Sequence, residues 1–323
     1  MIAEHRARYN ERVGSSWLRG APGFLLVFAF VALGCARANA DTQSIATTSA
    51  PVIFGQLQYG RITIHTANRQ DVQIRTDGNV RVRHIERVPP VLPFQPTFLA
   101  QTVQTPDGPL LQPPEPFMLA PLDPSVAHDA VIFNGTGNVE VTIPAGSPLV
   151  IARVGRGKIT IDGYHGGTLF TTVRVGTLRI KNVSGTGGFQ INNGPAIVQN
   201  GNFDRLRART GRGNMFFENT NVRQIDATSL TGSIVYDNGS FEPGLARFES
   251  QRGNIALGIR GGAQVDAHSG SGRVISEGSF RSGPVVTATS GSGAIFTYTG
   301  SIRQHPKLMR QLPMRPHRRK PPH

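Results

Sequence analysis

The chain is poor in cysteine, in tryptophan and in long apolar runs. It has 323 residues with 1 Cys and 1 Trp, which excludes an internal disulfide framework and a thiolate zinc site. No run reaches the ~20 apolar residues that a membrane-spanning helix needs. The 38 glycines follow no three-residue period, so collagen is excluded as well.

Acidic residues are also scarce: 34 Lys and Arg stand against 20 Asp and Glu, a formal charge of +14. Such an excess favours a nucleic-acid partner if it is concentrated on the folded part. Residues 1–40 hold 5 basic and 2 acidic residues, and residues 301–323 hold 7 basic and none acidic. The 22 basic and 18 acidic residues of 41–300 are nearly balanced, so we expect no nucleic-acid partner.

The N-terminus has the pattern of an export signal. Basic residues precede the apolar run 24–33, and Ala38-Asn39-Ala40 follows it as a small-x-small cleavage pattern. We predict a signal peptide over 1–40 with cleavage after Ala40, and no transmembrane segment after that cleavage. Lipid attachment at Cys35 is the less favoured alternative. The protein is then periplasmic, on the outer-membrane surface, or extracellular.

The C-terminal segment 301–323 differs in composition from the rest of the chain, because it is basic, rich in proline and free of acidic residues. Such a segment buries too little apolar surface to fold alone. We predict a disordered basic tail, which either stays solvated or binds an anionic surface.

Glycines recur through the middle of the chain ahead of an x-apolar-x-apolar pattern, at spacings of 18 to 21 residues. They are Gly137, Gly157, Gly176, Gly194, Gly213, Gly232, Gly253, Gly272 and Gly293. Two weaker copies begin at Gly60 and Gly78. A sustained period of this length is typical of a repeat fold.

Each unit contains two strand patterns. Positions two and four after the glycine are mostly apolar, as Ile159 and Ile161 illustrate, and this period-two alternation indicates one face of a strand. Positions seven, five and three before the next glycine alternate in the same way, and we expect the Ser and Thr in the last of these columns to bond to one another. We predict an all-β chain, a parallel β-solenoid (β-helix) with about 19–21 residues per rung and two main strands per rung.

Asparagine recurs six residues after the glycine, at a turn position where a left-handed backbone is tolerated. The four residues are Asn182, Asn200, Asn219 and Asn238. Stacked in successive rungs, they would form a side-chain hydrogen-bond ladder. We therefore assign them a structural role.

The phrases Arg209-Thr-Gly-Arg-Gly-Asn214 and Thr289-Ser-Gly-Ser-Gly-Ala-Ile295 resemble the repeats of bacterial families of predicted adhesins. Among these families is the GIN-type head domain of autotransporter adhesins, a secreted β-helix. The resemblance covers about 135–300 and implies a β-solenoid. It brings no catalytic motif, and we expect no translocation barrel, which disfavours self-display on an outer membrane.

The outward column three after the glycine becomes apolar from the fourth unit onward. It contains Ile197, Phe216, Val235, Ala256, Ile275 and Phe296, which we call the apolar stripe. Such a stripe is either covered or a binding surface. We favour a cover, supplied by the Pro-rich arm at 88–130, and keep self-association or attachment through the stripe as the alternative.

A second outward column alternates in charge and forms a predicted charge ladder of Arg207, Asp226, Arg247 and Asp266. We interpret it as surface ion pairs that avoid like-charge stacking. A carbohydrate-active β-helix enzyme would need clustered carboxylates instead. We expect no catalytic residue, no metal site and no cofactor.

The sequence thus divides into a signal peptide (1–40), first rungs (41–87), a Pro-rich arm (88–130), a repeat domain (131–300) and a tail (301–323). The favoured function is that of an exported, non-enzymatic, adhesin-like or scaffolding protein of a bacterial envelope. Its partner would be an envelope protein, a glycan or a second copy. The alternatives are a carbohydrate-active enzyme and a binder of anionic surfaces through the tail.

Overall fold

The computed structural model of the protein describes residues 41–92, 96–98, 101–105, 108–112, 115–278, 280–305 and 307. For 101–105 and 108–112 it describes the backbone alone. The predicted signal peptide and most of the predicted tail lie outside these residues.

Strands dominate the described chain, and a 3₁₀ helix (Ile302–Gln304) follows the last of them. The strands are β1 (Asp41–Ala46), β2 (Val52–Ala67), β3 (Asp71–Ile85), β4 (Thr97–Phe98), β5 (Gln101–Thr105), β6 (Gly108–Gln112), β7 (Glu115–Pro116), β8 (Ala130–Pro144), β9 (Leu149–Asp162), β10 (Gly167–Asn193), β11 (Ala196–Arg212), β12 (Met215–Glu218), β13 (Asn221–Thr231), β14 (Ile234–Phe241), β15 (Ala246–Arg252), β16 (Ile255–Ile259), β17 (Gln264–Ser269), β18 (Val274–Glu277), β19 (Val285–Ser290) and β20 (Ile295–Thr299). The prediction of an all-β chain is confirmed.

Most of these strands pair in parallel within one sheet of 16 strands. Equivalent positions of successive units face each other: Leu178 of β10 lies opposite Ile159 of β9 and Ala196 of β11. Midway along the chain, β11, β12, β14 and β13 each pair in parallel with the next and close a ring. The inward columns therefore meet around a shared interior.

The order of the strands departs from the order of the sequence at both ends. Strand β2 lies between β8 and β9 and pairs in parallel with both. Near the other end, β19 lies between β15 and β17, and β20 lies between β16 and β18. The β-solenoid that we predicted would pair each unit with its neighbour in sequence, and that order is wrong at these two places.

Strand β3, which contains Gly78 of the second weaker copy, is antiparallel to its neighbours. Gly78 lies opposite Gly137 on β8, and β1 pairs antiparallel with β3 on the other side. The first weak copy behaves differently, because Gly60 lies opposite both Gly137 and Gly157 in parallel ladders. Strands β1 and β3 thus form an antiparallel edge beside the parallel strands that begin at β8.

The glycine column places backbone directly against backbone. A Cβ on Gly176 would lie 1.7 Å from the carbonyl oxygen of Gly157, and one on Gly194 would lie 1.7 Å from that of Gly176. Both residues also have positive φ, 144° and 131°, a backbone conformation that residues with a side chain rarely adopt. Glycine recurs once per unit because this close approach recurs once per unit.

The inward columns form one hydrophobic core that runs along the strands. Burial of such side chains contributes roughly 25 cal/mol per Å² of apolar surface removed from water. Aromatic rings fill its middle: Phe217, Tyr236 and Phe248 are fully buried, and Tyr236 stacks on Phe241 at a centroid distance of 4.7 Å. Burial raises the pKa of the Tyr236 phenol, whose hydroxyl donates to the carbonyl of Ser240 at 2.9 Å.

Serines of the inward hydroxyl column bond to backbone carbonyls, and not to one another as we expected, while the Ser229 hydroxyl is buried without a partner among the described residues. Ser250 donates to the carbonyl of Gly232 and Ser290 to that of Gly253, each at 3.0 Å. The glycine column thus supplies the acceptors, because its carbonyls lie beside this column in the neighbouring unit.

Candidate interaction surface

The apolar stripe is a continuous row across six paired strands. In spatial order it consists of Ile197, Phe216, Val235, Ala256, Phe296 and Ile275. Phe296 therefore precedes Ile275, because β20 lies between β16 and β18. Adjacent strands are ~4.8 Å apart, so neighbouring side chains of the row are in contact range.

The row is buried although it lies on the outer side of its strands. Phe216 is 5% exposed, Val235 is 8% exposed and Phe296 is 2% exposed. They form a cluster with the fully buried Tyr298, against which the partly buried Ile302 packs. The structure thus places the members from Ile197 to Phe296 in a second small core.

Asp237 fixes the chain beside this cluster. Its carboxylate accepts hydrogen bonds from the backbone N–H of Ile302 at 2.7 Å and from the hydroxyl of Ser301 at 3.2 Å. The start of the segment that we predicted to be a disordered tail is therefore held beside the row.

The described residues of the arm pack in a different place from the one we expected. Phe98 and Phe117 lie against Phe170, with ring centroids 5.3 and 5.2 Å away. They form a third buried cluster with Ile151, on the outer side of β9 and β10. The arm also contains short strands that we did not predict: β4 pairs with β7, and β5 with β6.

Charged residues attach the arm to the sheet. Glu115 of β7 accepts hydrogen bonds from Arg207, at 2.5 Å, and from Arg209. The guanidinium of Arg209 also lies 4.6 Å from the ring centroid of Phe98, within the range of a cation–π contact. Arg207 thus contacts Glu115 of the arm as well as Asp226 of the predicted charge ladder.

The predicted charge ladder is interrupted. Arg207 lies opposite Asp226, with Nε 3.6 Å from the carboxylate, and Asp226 lies opposite Arg247. The next position is occupied by Thr287 of β19, which separates Arg247 from Asp266. Arg247 instead pairs with Glu249 of its own strand at 2.6 Å. The step from Arg247 to Asp266 is therefore wrong.

The four asparagines form a directional chain of hydrogen bonds. The side-chain amide of Asn238 donates to Asn219 at 2.7 Å, Asn219 to Asn200 at 3.3 Å, and Asn200 to Asn182 at 3.0 Å. Asn182 donates to the carboxylate of Asp162 at 2.8 Å. All four asparagines have φ between 50° and 54°, the left-handed conformation expected from the sequence.

A polar groove lies beside the arm on the outer side of strands β8, β2, β9 and β10, and extends to β3. One row across these strands consists of Arg81, Asn134, Gln56, Arg153 and Thr172. A second row, further along the strands, consists of Asn79, Thr136, Tyr59, Arg156 and Val175.

The groove consists of two adjoining cavities of about 340 and 280 Å³. Gln58 lines both of them, Arg153 and Arg174 line the larger, and Arg81 lines the smaller. None of their lining residues is acidic. The groove is therefore cationic, although the folded part of the chain is nearly neutral.

Comparisons with known proteins assign no family. No family model matches the chain, and no curated protein matches it. A proposed cell adhesion protein from Clostridium sporogenes, solved as a crystal structure, matches 80% of this chain and 99% of its own, with 9% identity and a TM-score of 0.21. A likeness this weak assigns neither fold nor function.

Two further features bear on the chemistry available. Among the described residues, no group of three or more His, Cys, Asp or Glu side chains is arranged to hold a metal ion. Within the same residues, no helix has the length and apolar character needed to cross a membrane.

Sequence reasoning missed the groove, because its residues come from five separate segments of the chain. Gln56 and Arg153, for example, are neighbours only because β2 lies between β8 and β9. A partial signal was present in the two early glycine copies, which place polar residues on outward positions, yet nothing local indicated where those copies would pair.

Proposed function

We propose that the chain is an exported, non-enzymatic parallel β-solenoid of a bacterial envelope, and that its outer side binds an envelope glycan or protein. Each rung would hold about 19–21 residues and two main strands, as the glycine period predicts. The resemblance of its repeats to those of bacterial adhesins favours the same role.

The observation that carries the proposal is the register of the parallel strands. Equivalent residues of neighbouring strands lie opposite each other, as in the pairs Arg179–Ile197 and Ile197–Phe216. Outward side chains therefore form rows with a spacing of ~4.8 Å. Rows of this kind suit an elongated ligand that makes many weak contacts better than a small substrate in a closed pocket.

The placement of carboxylates favours binding over glycoside hydrolysis. Asp226 and Asp266 are separated by Arg247 and Thr287, a distance of about 14 Å across three strand spacings. The two carboxyl groups of a glycosidase lie roughly 5–9.5 Å apart. Asp226 instead lies opposite Arg207, whose Nε is 3.6 Å from its carboxylate.

Fractionation of the native host and binding to its envelope test this proposal. We expect the protein outside the cytoplasm with Asp41 as its first residue, and we expect purified protein to be retained by isolated envelopes. A cytoplasmic protein with an intact N-terminus would refute the export, and absence of retention would refute the binding role.

The enzyme alternative has its own test. We expect no turnover of acidic or neutral polysaccharides, with or without calcium. Turnover that Asp226→Ala abolishes would overturn the non-enzymatic assignment, because this carboxylate would then be needed for catalysis.

A further inference from the structure

We propose that the polar groove between the arm and the glycine column is a binding site for an anionic polysaccharide, with Arg153 and Arg174 receiving an acidic group of the sugar chain. This inference rests on the proposed function, since it names the ligand class and the site within the outer side of the sheet.

Arg153 is the central observation. It lies between Gln56 of β2 and Thr172 of β10, and its Nε is buried without a hydrogen-bond partner among the described residues. Burial also lowers the pKa of Arg153 from its ordinary value. A buried donor without an acceptor costs free energy, and an anionic oxygen from a ligand would remove that cost.

The remaining lining fits a sugar chain. Gln56, Gln58 and Asn134 carry amides, which both donate to and accept from hydroxyl groups. Tyr59 is 53% exposed beside them, so its ring offers an apolar face with a polar tip. A guanidinium such as Arg174 binds carboxylate or sulfate oxygens through paired N–H groups. Amides, one aromatic ring and arginines together match an acidic polysaccharide.

The backbone at the groove is irregular in a way that exposes these side chains. The pairing of β2 with β8 shifts register between Leu57 and Tyr59, so Gln58 is an extra residue in the strand. Bulges of this kind re-aim side chains and are common next to functional sites. Gln58 consequently lines both cavities, which joins them into one elongated groove.

The distribution of charge favours a polysaccharide over a nucleic acid. Binding to nucleic acid draws on many phosphate contacts and on a broad basic surface. Here three arginines line the two cavities, whereas residues 41–300 hold 22 basic and 18 acidic residues. Arg81 and Arg153 lie about 14 Å apart across three strand spacings, which suits acidic groups repeated along an extended chain.

Isothermal titration calorimetry of the purified protein tests the inference, with polygalacturonate as the carboxylate probe, dextran sulfate as the sulfate probe, and dextran as the neutral control. We expect binding to at least one anionic polysaccharide and none to dextran. Arg153→Gln should weaken that binding at least about tenfold, as expected for the loss of a hydrogen bond to a charged group. Arg61→Gln is the matched control, because Arg61 is an exposed arginine of strand β2 outside the groove, and this substitution removes the same charge as Arg153→Gln. It should change the affinity less than about twofold.

Tyr59→Ala keeps the test decisive if Arg153→Gln does not fold, because Tyr59 is exposed and its removal should weaken binding without unfolding the protein. Equal losses in Arg61→Gln and in the groove variants would overturn the site. Stronger binding to single-stranded DNA than to either anionic polysaccharide would overturn the ligand class. Retention by envelopes that Arg153→Gln and Tyr59→Ala leave unchanged would overturn this inference alone, whereas absence of retention by the unmodified protein refutes the proposed function.

Discussion

Asn182 donates a hydrogen bond from its side-chain amide to the carboxylate of Asp162 at 2.8 Å, and this contact ends the chain of amides that starts at Asn238. Asn219, Asn200 and Asn182 each accept from one neighbour and donate to the next, so the dipoles are aligned and strengthen one another. The carboxylate lies at the acceptor end of the chain, where a negative charge stabilises that alignment. Turn geometry and side-chain bonding therefore both favour asparagine at this position.

Substitution of Asn219 separates these two roles. Asn219→Ala removes two hydrogen bonds and places an alanine at φ 50°, whereas Asn219→Gly removes the bonds without the strain. We expect Asn219→Ala to lower the free energy of unfolding by about 1 kcal/mol more than Asn219→Gly, as measured by urea denaturation. Equal losses in the two variants would show that the left-handed backbone contributes nothing.

Gly194→Ala should prevent close stacking of two neighbouring units. Its Cβ would lie 1.7 Å from the carbonyl oxygen of Gly176, at a φ of 131°. We expect a loss of at least about 3 kcal/mol in the free energy of unfolding, or no folded protein. Gly163→Ala is the control, because Gly163 has φ 80° with open space around it and should cost only about 1–2 kcal/mol. Similar stability of the two variants would contradict the backbone contact.

Phe216→Ala distinguishes a buried row from a free binding surface. Phe216 is 5% exposed, so its truncation should lower the free energy of unfolding by about 3–5 kcal/mol, as for other core phenylalanines. Val274→Ala, at a position that is 47% exposed, should cost less than about 1 kcal/mol. A stable Phe216→Ala protein that loses an envelope partner would instead support the interaction stripe that we kept as an alternative.

The carboxyl group of Asp71 should titrate at a lower pH than an ordinary aspartate. Its hydrogen bonds to Arg69, at 2.7 Å, and then to Ser44 lower the pKa of Asp71 to about 2. Because the folded state lowers this pKa, the stabilisation is present above the ordinary carboxyl pKa of ~3.9 and is lost as the pH falls towards 2. Carboxyl NMR titration should give a midpoint near 2, and the midpoint should rise in Arg69→Gln. An unchanged midpoint in that variant would contradict the pairing.

Much of the fold is readable in the sequence because its determinants are local. Asn200 and Asn219 marked turns since few other residues tolerate their backbone, and glycine marked the column where carbonyls approach. The inward alternation around Ile159 and Ile161 followed from the two-residue period of a strand. The candidate site was less predictable, because the groove depends on which units are neighbours, and the burial of the apolar stripe depends on what packs over it.

The sequence by itself determined the strands of the glycine-marked units, their inward faces and the recurrence of glycine, because sterics and side-chain period act within one unit. Tertiary structure decided the order of the units. Units of similar length and pattern offer similar edges for pairing, so nothing local requires β2 to enter between β8 and β9, or β19 between β15 and β17. Those two insertions broke the predicted charge ladder at Thr287 and brought Gln56 beside Arg153. The groove therefore exists only in the folded chain.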